Sequence, residues 1–142
     1  MAILNYTTKI SPTKTIGEIS ECLVRQGAKK IVTDYDDDGN ATGVQFFIEL
    51  NGMPIYFALP CNWQGVLKSM EKDRKVPRAS LNKEQALRVS WRIVKDWVEA
   101  QMAIIEANLC TMPQAFLPYA VTKDGTTFYD KLAAGDTKLL LQ

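Results

Sequence analysis

The clearest period in the chain is two, between Lys29 and Pro60. There "KKIVTDY", "VQFFIELNG" and "MPIYFALP" read as the strands of an antiparallel meander, joined through "DDDGNATG" and through Asn51-Gly52. Asn-Gly between two alternating apolar runs is among the strongest short-range hairpin signals, because both residues accept the positive φ of a type I′ turn. Val44, Phe46, Ile48 and Leu50 share one face of the middle strand, and Ile55, Phe57 and Leu59 share one face of the next. Gln45, Phe47 and Glu49 fall on the opposite side, so one face reads as core and the other as partly wet. Residues 2–10, "AILNYTTKI", give another period-two run in Leu4, Tyr6, Thr8 and Ile10, and predict an N-terminal strand.

Elsewhere the period is that of a helix. In "TIGEISECLVRQGA", Thr15 and Glu18 have capping-box spacing, Ile16, Ile19 and Leu23 form an apolar stripe, and Gly27 is a natural stop. "CNWQGVLKSMEKDRK" predicts a short helix with Asn62 at its N-cap. Asn82 and Gln85 then open the longest helical pattern, roughly residues 83–109. Its stripe runs through Leu87, Trp91, Val94, Val98 and Ile105, widened by Ile93, Trp97 and Ile104. Arg88, Arg92, Lys95, Asp96, Glu99 and Glu106 occupy the polar side. Thr111 caps one further turn that Pro118 ends, and a last short helix follows the Lys-Asp-Gly turn at 123–125. The expectation is an α+β fold: a small antiparallel sheet (β-α-β-β-β) covered on one face by helices, with a long amphipathic helix in the C-terminal half.

The 142 residues, 46% of them apolar and 23% charged, fit a single domain, 1–142, with a core that needs no staples. Cys22, Cys61 and Cys110 are odd in number and widely spaced, which argues against a disulfide scaffold and for a reducing compartment. The N-terminus lacks the basic and apolar regions of a secretory signal, so an intracellular protein is expected. The chain has no histidine. That removes Ser-His-Asp and Cys-His engines, HExxH metal sites and every histidine general base. No motif calls for a cofactor.

Charge is uneven although the total is only +1. Residues 61–97 hold nine Lys or Arg against four Asp or Glu, and the segments on either side are each slightly acidic. The basic segment contains Lys68, Lys72, Arg74, Lys75, Arg78, Lys83, Arg88, Arg92 and Lys95, together with all three tryptophans, Trp63, Trp91 and Trp97. Cations that track phosphates beside aromatics that stack bases are the materials of a single-strand nucleic-acid surface. Trp91 and Trp97 also sit among the apolar positions of the long helix, where a core would consume them. Two acidic groups compete for attention. Asp34, Asp36, Asp38 and Gly39 match the first half of an EF-hand loop, but Gln45 stands where the bidentate Glu belongs, and strands flank the loop. Asp96, Glu99 and Glu106 share a helical face, where the i,i+4 pairs Arg92–Asp96 and Lys95–Glu99 are the ordinary reading.

"EQALRVSWRIVKDWVEAQMAIIEA", "FLPYAV", "DGTTFYDKL", "EISECLVRQGAKKI" and "FALP" together resemble a family of small uncharacterised proteins of bacterial phages and mobile elements. That family supplies no catalytic residues to carry over. The resemblance implies a context, a phage-borne protein acting in the cytoplasm of a bacterial host. The expected function is a non-enzymatic accessory that binds single-stranded DNA or RNA through Lys68, Lys72, Arg74, Lys75, Arg78, Arg88, Arg92 and Lys95. The alternative is an inhibitor of a host defence factor that acts by protein binding or ligand sequestration, and homo-oligomers fit either reading.

Overall fold

A computed structural model describes residues 3–135, 137, 138 and 140. The element order is α1 (Pro12–Arg25), β1 (Lys30–Tyr35), β2 (Ala41–Leu50), β3 (Met53–Ala58), α2 (Trp63–Lys72), α3 (Lys83–Glu106), α4 (Met112–Phe116) and α5 (Phe128–Ala133). The sheet is antiparallel in the order β1-β2-β3, and helices cover one of its faces, an α+β architecture. Asn51 (φ 53°) and Gly52 (φ 79°) make the expected two-residue turn, with Leu50 opposite Met53. That turn fixes the register, so Phe46 meets Phe57 on the covered face and Phe47 meets Tyr56 on the other.

The core is a chain of rings. Phe46 stacks on Phe57 at 5.2 Å, Phe116 of α4 meets Phe46 edge-on at 5.3 Å, and Trp97 of α3 meets Phe116 edge-on at 5.3 Å. Ile16, Ile19 and Leu23 of α1 join Trp91, Val94 and Val98 of α3 over this ladder. A second, smaller cluster of Met70, Val76, Ala86 and Val89 holds α2 against the other flank of α3. α3 is therefore buried on two flanks. Trp91, Val94, Trp97, Val98 and Ile105 of the stripe read from the sequence join the sheet-side core, Ile93 packs instead with Ala86 and Val89 on the side that meets α2, and Ile104 is exposed.

Three expectations need correcting. Residues 3–10 are not a strand; Ala2 lies outside the described residues. Asn5 takes a left-handed φ of 65°, which breaks any extended run. The carbonyls of Tyr6 and Thr8 accept hydrogen bonds from the Gln85 side chain rather than from a neighbouring strand. α1 starts a turn earlier than the Thr15–Glu18 pair suggested. Ser11 accepts from the Lys14 amide, Pro12 occupies the first turn, and Thr15 is buried inside the helix. α3 ends at Glu106 rather than near 109, because Asn108 (φ 62°) turns left-handed, and the Leu109 and Asn108 amides close onto the Ile104 and Ile105 carbonyls. Gly27 (φ +107°) closes α1 by the same device, as its position suggested.

Candidate nucleic-acid interface

The basic segment divides in two. α2 is capped at its start by Asn62, whose side chain accepts from the Gly65 amide, and at its end by Asp73. The Asp73 carboxylate accepts from the Lys75 and Ile3 amides, which tightens the chain around buried Val76. Those amide hydrogen bonds hold its pKa below the usual carboxylate range. This turn leaves Lys72, Arg74 and Lys75 projecting outward, with Lys68 one helical turn earlier and Arg78 just beyond. All five are exposed, and among the described residues none forms an ion pair.

The other four cations are engaged. Arg92, 13% exposed, crosses to α1, where it donates to Glu18 at 2.6 Å and to Thr15 Oγ1 at 3.3 Å. Arg88 donates through Nε to Gln85 Oε1, and Lys95 pairs with Glu99 at 2.7 Å. Lys83 lies 2.9 Å from Asp36 in the β1–β2 loop and 5.1 Å from the Trp63 ring centroid. The grouping of Arg88, Arg92 and Lys95 with Lys68–Arg78 therefore fails: one set is turned towards α1 and its own helix, the other towards solvent. The sequence pointed to Arg92–Asp96. Glu18 wins because it comes from a packed neighbouring helix, where the pair is less exposed to water.

Replacing Arg92 with Ala removes the guanidinium from Glu18 and Thr15. We expect a loss of about 1.5–3 kcal/mol in urea-unfolding stability, the range for hydrogen bonds to charged groups. Nucleic-acid affinity of the folded variant should not change, which separates this arginine from the exposed set.

The tryptophans go to packing. Trp91 is fully buried, Trp97 is partly buried against Phe116 and Tyr119, and half-buried Trp63 has Lys83 over its face. No tryptophan stacking platform accompanies the five free cations. The acidic groups also have structural duties. Asp36 accepts from the Asp38 and Asn40 amides as well as from Lys83, chiefly Lys83, and its pKa is lowered to about 2. Lys83 is raised in return by the same contact. Asp96 accepts from Asn5, and Glu106 accepts from Gln26. Among the described residues, no three His, Cys, Asp or Glu side chains gather in metal-holding geometry, so Asp34, Asp36 and Asp38 do not converge as ligands.

Two surfaces escaped the reading of the sequence. On the uncovered sheet face Phe47 and Tyr56 lie 5.5 Å apart, half-buried and 36% exposed respectively, with Lys30 opposite Phe47. The two-residue Asn51-Gly52 loop carried that information, since it pairs position 47 with 56. The second surface is a run of clefts of about 390, 360 and 260 Å³ that all include Pro60. Ser90, Ile93, Val94, Trp97 and Tyr119 contribute walls to it. Cys61 sits there within 3.3 Å of Ser90, and burial pushes its thiol pKa up, away from thiolate chemistry. Nothing local in the sequence marks this groove, because it forms where segments far apart along the chain meet.

Among the described residues no helix is long and apolar enough to cross a membrane. Comparison with protein-family models, with curated proteins and with solved structures gave no match.

Proposed function

We propose that the chain binds nucleic acid without sequence preference through Lys68, Lys72, Arg74, Lys75 and Arg78, as a non-enzymatic accessory acting in the cytoplasm of a phage-infected bacterium. One observation carries this reading. Five cations within eleven residues stand exposed and unpaired among the described residues, in excess over the two acidic neighbours Glu71 and Asp73. A phosphate backbone is the polyanion such a track suits, because each neutralised phosphate releases counterions. Single strands are favoured over duplex. A flexible strand can bend around the Lys72–Arg78 turn, whereas duplex DNA is stiff over about 50 nm.

Fluorescence polarisation with labelled single-stranded and duplex oligonucleotides tests this. At physiological salt the dissociation constant should fall at about 10⁻⁴–10⁻⁶ M, and five phosphate contacts give a single-strand log–log salt slope of about −3.5. Reversing Lys72, Arg74, Lys75 and Arg78 to Glu should weaken binding by at least about a hundredfold. Affinity that survives this reversal rejects the site.

The Pro60 groove favours a second reading, an inhibitor that sequesters a small ligand or binds a host protein. Its two larger clefts, about 390 and 360 Å³, are of the size of small-molecule sites, roughly 300 Å³ and above. Ile104, Leu109 and Leu117 add exposed apolar side chains to α3 and to the segments after it. A sequestering protein would keep its activity in the charge-reversed variant, and a nucleic-acid accessory would lose it.

A further inference from the structure

β1 is the open edge of the sheet. Its one side pairs with β2, while the outer edge of β3 is met by Ala120 and Val121. Among the described residues nothing pairs with the other side of β1. An unpaired row of amides and carbonyls is a template for a further strand, and proteins usually guard such edges with charge. Here the charges are symmetrically placed. Lys30 and Asp34 are both exposed, opposite in sign, and lie two residues on either side of Val32. Their partners on β2, Phe47, Gln45 and Gly43, show that Lys30, Val32 and Asp34 all occupy the uncovered face. The regular pairing of β1 also stops at Asp34, where a bulge shifts the register before Tyr35. The straight part of the strand is thus residues 30–34, centred on Val32.

We propose that β1 pairs antiparallel with β1 of a second copy of this chain, centred on Val32, so that Lys30 of each copy faces Asp34 of the other. The contact is two-fold symmetric and self-complementary, as a closed dimer requires. Two opposite-charge pairs flank a Val32–Val32 contact on the uncovered face, and Ile31 meets Thr33 on the other. A slip by one residue sets Lys30 opposite Thr33 or Tyr35 and removes both ion pairs, so charge selects the register as well as the partner. The product is a six-stranded sheet carrying the Phe47–Tyr56 pairs of both copies on one face. A short polar contact of this kind gives a reversible dimer that weakens with salt. The proposal does not depend on nucleic-acid binding.

Sedimentation velocity across a concentration series at low salt tests it, with Lys30→Asp and Asp34→Lys variants whose folding is checked by circular dichroism. Wild type should show a concentration-dependent dimer. Each single variant places like charges opposite each other twice and should self-associate at least about tenfold more weakly. An equimolar mixture of the two variants restores both attractive pairs and should dimerise, as should the double variant on its own. The proposal is overturned if wild type stays monomeric at the highest attainable concentration, which would leave the edge to a strand of another protein. It is also overturned if the single variants match wild type, or if the mixture does not associate.

Discussion

Replacing Trp91 with Ala should destabilise the fold by about 3–5 kcal/mol, the usual range for removing a large buried aromatic side chain. Trp91 is fully buried at the centre of α3, and its indole N–H donates to the Ala41 carbonyl at 3.1 Å. Ala41 opens β2 beside the bulge, so this one side chain fixes both the height and the rotation of the long helix over the sheet. The two contributions can be separated. Trp91→Phe keeps most of the ring but leaves the Ala41 carbonyl without its donor, and should cost about 1–3 kcal/mol. Urea unfolding followed by circular dichroism measures both. At this chain length the Ala variant should also melt roughly 10 °C or more below wild type. An Ala variant within about 1 kcal/mol of wild type would mean that α3 is not seated on the sheet through this residue.

The parts of this fold that were legible in the sequence are those whose hydrogen bonds stay local. Asn51-Gly52 sets its own turn, Gly27 ends its own helix, and Asn62, Asn82 and Thr111 each cap the helix that follows. Where the decisive partner lies far along the chain, the pattern misleads. The alternation at residues 4–10 resembles a strand, yet its carbonyls are taken by a glutamine some eighty positions away. Ser11 and Thr15 are both chemically suited to cap α1. Thr15 is instead buried against α3, within reach of Arg92.

The candidate site follows the same rule. Sequence clustering put nine cations together, but whether a cation is free depends on where acidic residues arrive from other elements. Glu18 reaches Arg92 from α1, and Asp36 reaches Lys83 from a hairpin loop. The five that remain free belong to the one stretch, residues 68–78, whose acidic neighbours are few and local. The β1 edge was hidden for the opposite reason. Lys30 and Asp34 are unremarkable as a sequence pair, and acquire meaning only once the strand is known to lie at the border of the sheet.

Gln85 is where the next largest loss is expected. It stands three residues after Asn82, the spacing of a reciprocal capping box, and half of that forms: Asn82 accepts from the Gln85 amide at 2.9 Å. The Gln85 side chain does something else. Buried at the α3 N-terminus, its amide nitrogen donates to the Tyr6 and Thr8 carbonyls at 3.0 and 2.9 Å, and its oxygen accepts from Arg88. It thereby supplies to residues 6–8 the donors that a neighbouring strand would otherwise provide. Gln85→Leu keeps the bulk and removes both donors, so stability should fall by about 2–3 kcal/mol. The effect should be local as well as global. Amides of residues 3–10 should exchange faster while those of β2 keep their protection. A chain beginning at Ile10 lacks the two carbonyls, and there the same substitution should cost less than about 1 kcal/mol, a coupling readable from the four unfolding curves. Equal costs in the two backgrounds would show that Gln85 acts through the helix start alone and that the N-terminal segment is held by its apolar contacts, Ile3 and Tyr6 against the α2–α3 cluster.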